Sequence, residues 1–209
     1  FGFEREVVEK ATLDRIPLPD FRKFNRKKIA EIEKLYEGLR TDNVTWQEVD
    51  EWVVNLYGLG RRDLQVISDT LEFNLPFAQN KSDAQAMPSR QEQVRFCEVL
   101  AEELTPWSKR LGSELHVHSL DHSTALPWYG LEVRTSESEL DPTSNSDWKG
   151  LLRAADDAAA SEILVHSRSG TLLIGRLSQR RYWSETQARL LAQRIVWSHV
   201  DFLQGTAKG

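Results

Sequence analysis

The helical part of the fold is decided by Val49–Leu71, which reads VDEWVVNLYGLGRRDLQVISDTL. Its apolar residues recur at helical spacing, and Thr45 and Glu48 have the spacing of a capping box, so we expect a helix to begin at Thr45. Gly58 and the glycine two residues later end that helix, because glycine tolerates the left-handed turn. A second helix is predicted after them, and its apolar face consists of Leu64, Ile67 and Leu71. The stretch therefore predicts a helical hairpin.

This stretch, taken with the segment before it, resembles a known protein family. Residues 1–21, FGFEREVVEKATLDRIPLPDF, end in a proline turn, a charged helix follows, and VDEWVVNLYGL then occupies Val49–Leu59. The order resembles the segment downstream of the catalytic domain in bacterial adenine-N6 DNA methyltransferases of restriction-modification and phage-defence systems. The resemblance covers roughly residues 1–75 and gives no family for residues 85–205.

The resemblance implies a catalytic domain that binds S-adenosylmethionine and the flipped adenine, and the motifs of that domain are absent from this sequence. There is no G-x-G-x-x-G or P-loop spacing. The Asn/Asp-Pro-Pro-aromatic motif is also missing, since Leu126–Tyr129 lacks the Asn or Asp and the second proline. The chain begins at Phe1 rather than Met. We therefore expect a non-catalytic C-terminal fragment without a cofactor, with S-adenosylmethionine implied for the full-length protein.

Composition sets the broad class of protein. A hydrophobic content of 40% and a charged content of 28% are ordinary for a globular chain of 209 residues. No apolar run approaches the roughly 20 residues of a membrane span, so no membrane partner is expected. The single Cys97 excludes an internal disulfide, fits a reducing cytoplasm and is expected to be a buried apolar residue. The net charge of −5 argues against coating nucleic acid by bulk electrostatics.

The sequence predicts an α+β fold, in which a helical N-terminal unit precedes a small, mainly antiparallel sheet with packed helices. Residues 1–73 form the helical unit, with an extended arm at its start because Pro17 and Pro19 exclude helix. Residues 74–88 are polar, contain two prolines and are predicted to be a linker. Residues 89–205 form an α-β-β-α-β-β-α domain.

Capping residues and apolar alternation place the individual elements. Helix N-caps are predicted at Asn25, Thr45, Ser89 and Ser184. Period-two alternation predicts strands over Glu114–Leu120 and Trp128–Thr135, and two apolar runs predict strands over Glu162–Ser167 and Thr171–Leu177. A hairpin turn is predicted at Ser169-Gly170, a further helix over Asp147–Ala159, and a last long helix that runs from Ser184 to Gly205.

Two basic runs are candidate binding sites for DNA or a partner protein. The first consists of Arg22, Lys23, Arg26, Lys27 and Lys28, and the second of Arg176, Arg180 and Arg181 with Tyr182 and Trp183. An acidic chain can still bind DNA through one basic face, especially within a larger enzyme. The alternative is a solvated helix face for the first run and a surface loop for the second. We also expect Ser184 to place helix amide groups beside the second run.

Tryptophan is frequent, with seven residues in the chain. Five fall at apolar helical positions and are predicted to be core or interface residues, namely Trp46, Trp52, Trp107, Trp148 and Trp197. Trp52 is expected to join Leu56 in the core of the hairpin. Trp128 and Trp183 stand beside tyrosines at element boundaries. Such aromatic residues stack on unpaired bases, or they cover a sheet edge that meets another protein, and both interpretations stay open.

Other combinations of reactive residues favour no catalytic chemistry. His116, His118, Asp121 and His122 miss the H-x-H-x-D-H spacing of binuclear metallohydrolases by one residue, so solvent-facing strand histidines are expected instead of a metal site. Serines near His166 lack a G-x-S-x-G elbow and an orienting acid. Adjacent carboxylates such as Asp156-Asp157 diverge on a helix and cannot form a catalytic pair.

These observations lead to one main hypothesis. The chain is a non-catalytic C-terminal part of an adenine-N6 DNA methyltransferase, whose helical part packs on the catalytic domain and whose α/β part contacts DNA or a partner subunit. The alternative is a protein-interaction module that recruits a nuclease or helicase of the defence system without contacting DNA. A self-contained small hydrolase is a third hypothesis.

Overall fold

The computed structural model describes residues 15, 17–74, 81–110, 112, 114–120, 127–135, 153, 155–157, 159–166 and 171–203. Their fold is α+β, as the sequence predicts, and combines a helical N-terminal part with a four-stranded antiparallel sheet. The chain divides into two compact units, Phe1–Leu64 and Gln65–Gly209, and each is described by itself. The observed division therefore precedes the boundary at residue 73 that the sequence predicts.

Local signals build the helices of the first unit. A 3-10 turn at Phe21–Lys23 is followed by α1 (Arg26–Arg40), α2 (Trp46–Tyr57) and the start of α3 (Arg61–Asp69). Asn25 caps α1 by accepting a hydrogen bond from the amide of Lys28 at 2.9 Å. Thr45 and Glu48 form the predicted capping box, which lowers the pKa of Glu48 through the backbone hydrogen bond from Thr45. Gly58 ends α2 with a φ of 64°.

The first unit has no closed core among its described residues. No side chain of residues 17–64 is fully buried. Trp52 and Leu56 are half-buried, so the prediction that they are core residues is wrong in degree. Two contacts between distant residues stabilise the unit: the indole nitrogen of Trp52 donates to Glu31 at 3.4 Å, and the Tyr57 hydroxyl donates to the carbonyl of Pro17 at 3.0 Å.

The sheet of the second unit consists of two hairpins joined side by side. Its strands are β1 (Leu115–Ser119), β2 (Trp128–Thr135), β3 (Glu162–His166) and β4 (Thr171–Leu177). Their order is β1-β2-β4-β3, and each neighbouring pair is antiparallel. The central pairing places Val133 opposite Leu172 and Leu131 opposite Ile174. The strand positions agree with the prediction, but burial alternates only along β1, because both faces of β2 and β4 are covered.

The second unit also contains α4 (Lys81–Gln85), α5 (Arg90–Arg110), α6 (Glu185–Ser198) and α7 (Val200–Leu203). One sheet face packs on the helices in a core that includes Phe96, Leu100, Leu104, Leu131, Val133, Leu172, Ile174, Trp183, Leu191, Ile195 and Phe202. The other face carries a smaller cluster of Trp128, Ala155 and Leu173. Burial of these apolar surfaces stabilises the unit.

Several helix boundaries differ from the prediction. Helix α4 lies inside the predicted linker over residues 74–88. The predicted helix from Ser184 to Gly205 is interrupted at His199, and α7 follows. The helix predicted over Asp147–Ala159 lies largely outside the described residues, although Arg153 and residues 155–157 are described and are helical. The turn predicted at Ser169-Gly170 lies outside the described residues. None of the described helices is both long and apolar enough to span a bilayer.

Candidate functional site

The ten residues predicted to bind DNA or a partner fall into two sets, one in each unit. The first set, which we call the basic run, consists of Arg22, Lys23, Arg26, Lys27 and Lys28 and lies in the first unit. The second set consists of Arg176, Arg180, Arg181, Tyr182 and Trp183 and lies in the second unit. The first set is exposed to solvent, whereas every member of the second set is buried or half-buried.

The basic run is exposed along its whole length. Asp20 accepts from Arg22 Nε at 3.1 Å and lies 3.8 Å from Lys23 Nζ, so one carboxylate partly neutralises two cations. Lys28 Nζ lies 5.3 Å from the centre of the Phe24 ring. The first turn of α1 contains no acidic residue, although the helix dipole favours negative charge there. The charge arrangement at this helix end therefore suits an anion from outside the unit.

The first unit also exposes a large amount of apolar surface. Seven large apolar side chains in it are between 39% and 73% exposed: Leu18, Phe21, Ile29, Tyr36, Trp46, Tyr57 and Leu64. We call these seven side chains the apolar set. Ile29 and Tyr36 are seven residues apart on α1 and therefore share one side of that helix. Trp46, at the start of α2, is the most exposed of the seven at 73%.

Arg176 is buried in the second unit and is only 3% exposed. Its Nη1 lies 3.1 Å from Glu162 Oε2 across the β3–β4 pair, and its Nη2 donates to Gln187 of α6 at 3.2 Å. The guanidinium also stacks over the Phe96 ring at 5.0 Å. Burial lowers the pKa of Arg176 to about 10, although Glu162 opposes this shift. Arg176 is therefore a core residue and offers no surface to a phosphate.

Arg180 is half-buried and holds three segments together. Its Nε donates to Glu92 Oε1 at 2.6 Å, its Nη2 donates to Glu72 Oε1 at 3.2 Å, and its guanidinium lies 5.0 Å from the Phe73 ring. The two carboxylates neutralise the guanidinium charge of Arg180, which is therefore not available to bind a phosphate. Burial opposes ionisation of Glu92, but hydrogen bonds from Ser89 and Arg180 outweigh it and lower the pKa of Glu92.

The remaining members of the second set are also engaged within the protein. Arg181 donates from Nε to Gln179 at 2.9 Å and lies 4.8 Å from the Tyr182 ring. Trp183 is buried, packs against Phe96 at 5.1 Å between ring centres, and donates from its indole nitrogen to the carbonyl of Leu177 at 2.9 Å. Trp183 thus forms part of the core, where it cannot stack on a base.

The carboxylate of Asp69 occupies the N-terminal end of α6, which the sequence places beside the second basic run. The Ser184 hydroxyl caps α6 as predicted, by accepting from the amide of Gln187. The amide of Thr186 instead donates to Asp69 Oδ2 at 2.8 Å, and Gln65 donates to Asp69 Oδ1 at 2.9 Å. The sequence predicts no role for Asp69 or Glu72. No local signal marks them, because both partners lie more than a hundred residues away.

The histidines form pairs. His116 and His118 are exposed on β1, as predicted, with ring centres 6.2 Å apart. His166 Nε2 lies 2.6 Å from His199 Nδ1, and partial burial together with His166 lowers the pKa of His199. In the part of the chain that the structure describes, no three His, Cys, Asp or Glu side chains could hold a metal ion. Asp121 and His122 lie outside that part.

Cys97 is buried, as the sequence predicts. Burial raises the pKa of its thiol to about 11, so the thiolate that acts as a nucleophile is scarce at neutral pH.

Comparison of the chain with protein-family models, with curated proteins and with solved structures found no match.

Proposed function

We propose that this chain is the non-catalytic C-terminal region of an adenine-N6 DNA methyltransferase of a restriction-modification or phage-defence system, and that its helical unit docks on the catalytic domain of that enzyme. The observation that carries the proposal is the apolar set. These side chains are exposed in a unit whose described residues include none that is fully buried.

An uncovered apolar set of this kind favours a binding surface. Helices of 9 to 15 residues gain little stability from their own hydrogen bonds and depend on packing of an apolar face. Exposed aromatic residues such as Trp46 and Tyr36 are also the residue types that contribute most to protein interfaces. The resemblance of residues 1–75 to a segment that follows a methyltransferase catalytic domain supports that domain as the partner.

In this role the chain helps to position DNA and takes no part in the methyl transfer itself. We expect S-adenosylmethionine and the flipped adenine to be bound by the catalytic domain, whose motifs this sequence lacks. The exposed basic run is the candidate DNA contact of the assembled enzyme, because cations at the start of α1 oppose the helix dipole and a phosphate would relieve that repulsion.

Substitution of two exposed aromatic residues tests the docking surface. We expect Trp46→Ala and Tyr36→Ala each to weaken binding of this chain to the separately expressed catalytic domain by roughly tenfold or more, measured by calorimetry. The catalytic domain would be expressed from the part of the gene that precedes the codon for Phe1. Trp197→Ala is the matched control, since that tryptophan is 85% exposed in the second unit. Equal affinities for Trp46→Ala and the parent chain would contradict the proposed surface.

The basic run is tested through the salt dependence of DNA binding. We expect Arg26→Ala with Lys27→Ala, placed in the assembled enzyme, to weaken DNA binding for all sequences and to reduce the slope of log K against log salt by about two. Lys34→Ala, further along α1, should leave the slope unchanged. If the double variant keeps the parent slope and affinity, the chain is better described as a protein-interaction module without DNA contact.

A further inference from the structure

Residues 65–74 form a strap that lies on the rest of the second unit. The strap consists of the last part of α3 and the π-helical turn Thr70–Asn74. Its only fully buried residue among those described is Asp69, at 3% exposure, while Val66, Ile67 and Leu71 are 43% to 54% exposed. Apolar burial therefore contributes little to its attachment.

Polar contacts hold the strap at two points. At the first, the carboxylate of Asp69 accepts the amide of Thr186 at the N-terminal turn of α6, where the helix dipole favours negative charge. At the second, Arg180 binds Glu72 of the strap at 3.2 Å and lies over Phe73 at 5.0 Å. Arg180 is itself fixed by Glu92 at 2.6 Å and by its own amide, which donates to the carbonyl of Ala86 at 2.9 Å.

The strap is held by polar contacts, whereas the sheet and its helices are held together by an apolar core. The core of the second unit is apolar and includes side chains from α5, α6, β2 and β4. An apolar core loses little stability when salt is added, whereas contacts between partly exposed charges are screened by salt. The two parts should therefore respond differently to ionic strength.

We infer that the strap is a releasable element, which detaches from the second unit while the sheet and its helices stay folded, and that Asp69 and Arg180 are its two attachment points. Local opening of this kind is typical of segments with few buried apolar contacts. Release exposes the carboxylate of Asp69, which is 3% exposed in the folded unit.

Hydrogen exchange of the whole chain, resolved by mass spectrometry, tests the inference. We expect Arg180→Gln and Asp69→Asn each to speed exchange of amides in residues 65–74 by roughly tenfold or more, with exchange in β2 and β4 unchanged. Raising the salt concentration from about 0.05 M to about 0.5 M should speed strap exchange in the parent protein in the same selective way.

Two further variants keep the test decisive. Arg189→Gln is the matched control, because Arg189 is similarly half-buried and pairs with Glu185 at 3.1 Å and Glu103 at 3.6 Å without contacting the strap through these pairs. It should leave strap exchange unchanged. Glu72→Gln removes only the exposed arm of the second attachment and should give a smaller increase in the strap. Either of two results would overturn the inference: β2 and β4 exchange faster by the same factor as the strap in Arg180→Gln, or strap exchange is insensitive both to that substitution and to salt.

Discussion

Replacing Glu162 by glutamine is expected to destabilise the second unit by about 3–5 kcal/mol, because it leaves the buried charge of Arg176 without its carboxylate. Arg176 is 3% exposed, its Nη1 lies 3.1 Å from Glu162, and its Nε has no hydrogen-bond partner in the described part of the chain. Gln187 and the Phe96 ring would remain in contact with its guanidinium. Urea unfolding followed by circular dichroism gives the free energy of unfolding.

Two companion variants separate the buried charge from other effects of the substitution. Arg194 also binds Glu162, but its side chain is 56% exposed, so Arg194→Gln should cost less than about 1 kcal/mol. Adding Arg176→Met to Glu162→Gln removes the unpaired charge and should recover a substantial part of the lost stability. A cost for Glu162→Gln as small as that for Arg194→Gln would show that Arg176 is not stabilised by this ion pair.

Trp183→Ala is expected to destabilise the second unit by about 3–5 kcal/mol. The indole is 2% exposed and packs against Phe96 at 5.1 Å and Tyr129 at 5.7 Å. Its loss leaves a cavity between α5 and the sheet and leaves the carbonyl of Leu177 without its indole donor. The same unfolding measurement gives the change in free energy.

Trp197→Ala provides the contrast, since this tryptophan is 85% exposed on α6. Its removal should change the free energy of unfolding by less than about 0.5 kcal/mol. Similar losses for both substitutions would mean that Trp197 is covered in the folded protein in solution, for example by self-association, and a dependence of stability on protein concentration would then be measurable.

The elements that could be predicted are those with local causes. The caps at Asn25, Thr45 and Ser184 depend on side chains that bond an amide three residues away. The capping box of Ser89 and Glu92 is equally local. Alternation on β1 places the exposed His116 and His118 on one face and the partly buried Leu115 and Val117 on the other. The α+β class and the strand positions follow from such signals.

The burial of the tryptophans could not be predicted, because it is decided by distant parts of the chain. Trp46 and Trp197 occupy apolar helical positions yet are exposed, while Trp128 and Trp183 at element boundaries are buried. Periodicity shows which side of a helix is apolar, but it does not show whether another element covers that side. For the first unit, the described structure supplies no such cover, and this is the basis of the proposed docking surface.

The same limit applies to the second basic set. Its composition is equally compatible with a phosphate contact and with internal ion pairs, since an arginine binds both kinds of anion. Arg176 and Arg180 find their carboxylates on β3, on α5 and on the strap. Only the three-dimensional arrangement identifies these partners, and it leaves the basic run of the first unit as the exposed candidate among the predicted sets.

The long sequence separation of the strap contacts also constrains the order in which the chain folds during synthesis. Glu72 precedes Arg180 by 108 residues, and Asp69 precedes Thr186 by 117. At ribosomal speeds of roughly 5–20 residues per second, the strap is synthesised roughly 5–23 s before its partners. The hairpins β1–β2 and β3–β4 can pair as soon as each is synthesised, whereas the strap must wait until Arg180 and Thr186 are synthesised. Its acidic residues are therefore accessible to other cationic surfaces throughout that interval.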